Sequence, residues 1–199
     1  MSTKATVALA AALALSASLA LAQEGLKSVE AFSAIADEQV RSVALFEEMG
    51  KVLTHPRCIN CHPRGDNPLQ GEAMQKHQPP VQRGIGNFGM PGMRCNACHG
   101  QANVAFAAGG GSVPGSPNWR LAPPEMAWEG KSMAEICAQL KNESNSGMTL
   151  AQLQEHHAGD GLVGWAWAPG EGRTPPPGSR ELFAALTKAW IDTGAHCPG

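Results

Sequence analysis

The chain has 199 residues, a formal net charge of −2, 23 glycines, 15 prolines, five phenylalanines and no tyrosine. A slightly acidic balance without any basic stripe argues against nucleic acid as a partner. So many breakers and so few aromatics leave ordinary secondary structure short of apolar volume, so a bound apolar group is expected to fill part of the interior.

Residues 1–22 read as a cleaved secretory signal. Lys4 gives a basic start, residues 5–21 form an apolar run, and Ala20-Leu21-Ala22 is a small-residue cleavage site before Gln23. The run is shorter than the roughly 20 apolar residues that span a bilayer, and no later segment is long or apolar enough, so no transmembrane segment is expected after cleavage. Export implies an oxidising, periplasmic setting, and residues 23–199 make one domain's worth of chain.

Asp37 is suited to cap a helix running to about residue 53, with Leu45, Phe46, Met49, Val52 and Leu53 on one face. That helix delivers the chain to Cys58-Ile59-Asn60-Cys61-His62, and Cys95-Asn96-Ala97-Cys98-His99 repeats the same C-x-x-C-H pattern. In each copy two thiols can add to the vinyl groups of a porphyrin, while His62 or His99 binds the iron from the proximal side. The alternatives are a zinc site made by Cys58, Cys61, Cys95 and Cys98, or a redox disulfide; neither explains a histidine directly after each second cysteine. Two c-type haems are therefore the expected cofactors. Only 32 residues lie between His62 and Cys95, too few for a separate domain, so both motifs must share one fold.

Residues 63–94 and 100–130 are rich in turn formers and are expected to be long irregular loops, with Trp119 and Trp128 as haem-side or core aromatics. Ser132 and Glu135 form a capping box opening a helix to about residue 141. Thr149 and Gln152 form another, opening a helix that ends near His156 and His157. Residues 161–177 carry too many breakers for a helix. The last helix is expected over about residues 179–193, with Leu182, Phe183, Leu186 and Trp190 in its stripe and Gly194 at its end. Cys137 and Cys197 remain after the motif cysteines, and a disulfide between them is the simplest account. The expected fold is mainly α: a single loop-rich dihaem cytochrome c domain with few helices and little or no sheet.

The ligand on the far side of each iron decides between electron transfer and ligand chemistry. Candidates are His55, His77, His156, His157, His196, Met74, Met90 and Met93. His77 and His55 lead, His156 follows, and Met93 is the sulfur alternative. His55 lies three residues before Cys58, a reach of about 10 Å, and so would address the other haem rather than its own. Arg64, Arg83, Arg94 and Lys131 are placed to pair with propionates.

The chain resembles a family of small exported dihaem c-type cytochromes often encoded beside isoquinoline 1-oxidoreductase-like molybdenum hydroxylases. The matching pieces are HPRCINCHPRGDNP at 55–68, GMRCNACHG at 92–100, APPEMAWEGKS at 122–132, LVGWAWAPGEGR at 162–173 and AWIDTGAHCP at 189–198. The resemblance implies a redox protein partner, such as a molybdenum hydroxylase or another periplasmic dehydrogenase, from which electrons pass toward the respiratory chain. It carries over no distal ligands. The competing expectation is a dihaem peroxidase-like enzyme with one open haem, for which Glu72 or Glu155 beside a histidine would supply acid-base chemistry. A haem-based redox or gas sensor is a third class, with no visible output domain.

Overall fold

In the computed structural model, residues 25–199 are described, and the signal reading of residues 1–22 lies outside them. Asp37 accepts the amide of Val40 at 2.9 Å and starts the helix α1 (Glu38–Leu53), as a short acceptor side chain at an N-cap should. Proline at the first helical position then opens the short α2 (Pro56–Ile59), which carries Cys58. Ser132 and Glu135 bond reciprocally at the start of α3 (Met133–Lys141), and Asn142 caps the short α4 (Glu143–Ser146). Thr149 and Gln152 make the second capping box at α5 (Leu150–Gly159). Asp160 caps α6 (Gly161–Trp165), and Ser179 caps α7 (Arg180–Asp192).

The described residues are 42% helical and 7% strand, a mainly α fold. All of the strand lies in three antiparallel two-residue hairpins: β1–β2 (Leu69–Gln70, Gln75–Lys76), β3–β4 (Gly89–Met90, Met93–Arg94) and β5–β6 (Val104–Ala105, Ser112–Val113). These hairpins, with short 3-10 turns, give order to the stretches expected to be irregular loops. Gly89, which opens β3, has a φ of +90° and lies so close to the backbone of Arg94 and Cys95 that a side chain would collide with it. The turn before the second C-x-x-C-H motif therefore requires glycine there.

The core forms where α7 crosses α1 and α5. Leu45, Phe46, Met49, Val52 and Leu53 of α1 are buried against Phe183, Leu186 and Trp190 of α7, with the Phe46 and Trp190 rings 5.0 Å apart. The buried Ser42 hydroxyl donates to the Trp190 carbonyl and accepts the His196 amide, tying the chain's end to α1. Cys137 of α3 and Cys197 lie at disulfide distance, with Cα atoms 5.6 Å apart, as expected for the two cysteines outside the motifs.

Two helices depart from expectation. The α4 turn is held by the Asn142 side chain, which accepts the Ser144 amide. Residues 161–165, expected to be loop, form α6 because Asp160 Oδ1 accepts the amides of both Leu162 and Val163. Two glycines in one turn are thus outweighed by a cap that satisfies two otherwise orphaned donors. No helix among the described residues is long and apolar enough to cross a membrane.

Candidate functional site

The α2 turn presents Cys58, Cys61 and His62 to a cavity of about 360 Å³, within the roughly 300–1,000 Å³ usual for cofactor and ligand sites. Leu53 and Met126 line it, as do Leu153, His156 and His157 of α5 and Phe183 of α7. The segment 122–129 clamps the motif by backbone bonds: the Ala122 amide donates to the Cys61 carbonyl, and the Trp128 amide to that of His62.

His62 is fixed from two sides. Its ring stacks on Trp128 with centroids 3.5 Å apart and planes at 10°, and Nδ1 lies 2.6 Å from the Met126 carbonyl oxygen. A carbonyl only accepts, so Nδ1 carries the proton and Nε2 keeps a free lone pair. Burial pulls the His62 pKa down to about 4, the Met126 carbonyl opposing, so the imidazole is neutral at ordinary pH. Burial likewise pushes the Cys58 thiol up to about 12 and the Cys61 thiol to about 11. The cavity thus holds a neutral imidazole and two protonated thiols against an apolar wall.

The second motif repeats the arrangement nearer the surface. His99 Nδ1 lies 2.7 Å from the Pro114 carbonyl oxygen, and its ring stacks on Trp119 at 4.7 Å and 13°. Its Nε2 is therefore also the free nitrogen. His77 stands beside it with ring centroids 5.9 Å apart, and His77 Nδ1 donates to the Pro79 carbonyl at 2.9 Å, leaving a third free Nε2. Trp119 meets Trp165 edge-on at 4.7 Å, and Trp165 lines the first cavity, so aromatic rings connect the two motifs. Cys95 adds to the upward shift of Cys61, a second sign that the motifs are neighbours.

The other candidates are placed differently. His55 is buried, and its Nδ1 accepts the Arg57 amide at 3.2 Å to cap α2, so its ring proton sits on Nε2. His156 lines the first cavity with Nδ1 3.5 Å from Asp160 Oδ2. Met90 and Met93 face one another across β3–β4, each 44% exposed, and Met74 is 38% exposed. Glu72 accepts from Arg57 Nη2 and from the Thr174 amide, and Glu155 is exposed. Arg83 is buried against Asp66, Asn87 and backbone carbonyls, Arg64 binds Glu129 through its amide, and Lys131 pairs with Glu135. Arg94 is exposed.

Among the described residues, no group of three or more His, Cys, Asp or Glu side chains converges on one point, so the four motif cysteines do not form a single tetrahedral set. Arg57 Nε, Trp128 Nε1 and Trp167 Nε1 are buried donors without partners, and all three residues line the first cavity. Native interiors seldom leave such groups unpaired.

Sequence reading singled out Trp119 and Trp128 but missed the carbonyls of Met126 and Pro114 and the wall of α5 and α7, because backbone contacts at this separation leave no residue-type signal. No protein-family model, curated protein or solved structure gives a significant match to the chain.

Proposed function

We propose that this chain is an exported electron carrier holding two covalently attached c-type haems, which takes electrons from a periplasmic dehydrogenase or molybdenum hydroxylase. The observation that carries the reading is the shared build of the two motifs. In each, a C-x-x-C pair sits beside a histidine whose Nδ1–H is anchored on a backbone carbonyl, whose face is covered by tryptophan, and whose Nε2 is free. An anchored Nδ1–H is the usual second contact of a metal-binding imidazole, fixing both tautomer and ring plane.

Cys58 and Cys61 would hold one haem and Cys95 and Cys98 the other, with His62 and His99 on the irons. The first cavity fits such a group in its size, its apolar walls and the Cys58, Cys61 and His62 side chains that line it. When bound, haem supplies an iron that exchanges single electrons between ferrous and ferric states. The protein's part is to exclude water with the apolar wall, to hold the imidazoles in one orientation and to keep both sites in one rigid body. For the second motif His77 is the candidate distal ligand. Its ring stands 5.9 Å from that of His99, and its Nδ1 is spent on the Pro79 carbonyl, so its Nε2 would be the nitrogen available to a haem held there.

The test is production of the exported chain in a host that attaches haem c. The pyridine haemochrome spectrum and intact mass should report two covalent haems, and the ferric EPR spectrum two low-spin centres. Replacing Cys58 and Cys61 together by alanine should remove one haem and leave the other. A chain without covalent haem sinks the proposal. Two haems with a large high-spin, ligand-binding fraction would instead favour the dihaem peroxidase-like enzyme.

A further inference from the structure

We infer that His157 is the iron ligand opposite His62, oriented by the hydroxyl of Thr187. The inference rests on the two-haem reading. It departs from the expectation that His156 would rank ahead of His157.

Thr187 Oγ1 donates its only hydrogen to the Phe183 carbonyl one helical turn back, at 3.0 Å. The same oxygen lies 2.9 Å from His157 Nδ1, so it accepts there, and His157 Nδ1 must carry the ring proton. That leaves the lone pair on Nε2. His157 is 3% exposed, held by Thr187 on one side and by Phe183, 4.7 Å away, on its face. Among the described residues its Nε2 makes no hydrogen bond. The residue lines the same cavity as His62. A histidine buried for packing alone would ordinarily find a partner for its second nitrogen.

The rival histidines fit less well. His55 spends Nδ1 as an acceptor in the α2 cap, which puts a proton on Nε2. His156 is about a third exposed, and its nearest Nδ1 partner, Asp160, is at 3.5 Å. The His157 ring is held at its Nδ1 edge by Thr187 and packs against Phe183, so its orientation is fixed by the protein.

The experiment uses the holoprotein. In His157→Ala one of two low-spin ferric EPR signals should become high-spin while the haem content stays at two, and millimolar imidazole should restore it. His156→Ala and His55→Ala should keep both low-spin signals. Thr187→Val, which keeps the ring but removes its acceptor, should shift the g-values and midpoint potential of one haem and leave the other unchanged. The inference is overturned if His157→Ala carries two haems with both low-spin signals intact, or if His156→Ala is the variant that turns high-spin. Should His157→Ala fail to accumulate, Thr187→Val decides: unchanged signals from both haems overturn the assignment. A parent protein without covalent haem fails the two-haem reading itself, an outcome separable from any of these.

Discussion

Replacing Cys197 with alanine opens the link between α3 and the chain's end and tests how the scaffold behind the site is held. The bridge closes a loop with a sequence separation of 60, for which chain-entropy arguments give about 4 kcal/mol of stabilisation. Cys137 is fully buried in the variant's parent structure and stays so as a thiol, so little solvation energy offsets the loss. Against a typical total of about 5–15 kcal/mol, that is a large share of the protein's stability. In urea, with a slope of about 2 kcal/mol per molar, the midpoint should fall by about 2 M when followed by far-UV circular dichroism. The same shift should appear when the parent is reduced. A shift below about 0.5 M, with unchanged slope, would refute the reasoning, because the unfolded chain would then not be the state that the bridge constrains. Since α7 also carries Thr187 and Phe183, the variant should release the His157 ring at lower urea than the parent does.

Leu186, fully buried between α7 and α1, should cost about 2–5 kcal/mol when replaced by alanine, read from urea or thermal unfolding. Gly89→Ala should destabilise the turn that delivers Cys95 by 1 kcal/mol or more, since φ is positive and backbone lies in the way; native-state hydrogen exchange at the Cys95 amide, which donates to Phe88, should accelerate. The Asp160 carboxyl is held well below the usual carboxylate range, chiefly by His156 and then by the Val163 and Leu162 amides, with burial opposing. Its folded pKa lies below the unfolded value near 3.8, so its contribution is present above that pH and is lost as pH falls through the folded value. Asp160→Asn, which keeps an acceptor for the α6 cap, should therefore flatten the acid limb of a stability-against-pH curve.

The residue order alone determined the helix ends and the two motifs, because both are local chemistry. Asp37, Ser132, Thr149 and Ser179 each satisfy amides within three residues, and C-x-x-C-H is a residue pattern within five positions. The short interval between motifs already required that they share one fold. Asp160 shows where local reading stops: the breakers after it were visible, but the double cap that outweighs them depends on one side chain's orientation. The walls of the cavity were decided only by tertiary structure. Nothing near His62 in sequence announces that Met126 supplies its carbonyl, that Trp128 covers its ring, or that α5 brings His157 to the same cavity. The proposed choice among the five histidines outside the motifs likewise turns on which ring nitrogen is spent on a neighbour, and that neighbour lies two residues away for His55 but 30 residues away for His157. Residue type says that an imidazole can bind a metal; the partner of its other nitrogen, fixed by packing, says which lone pair is free.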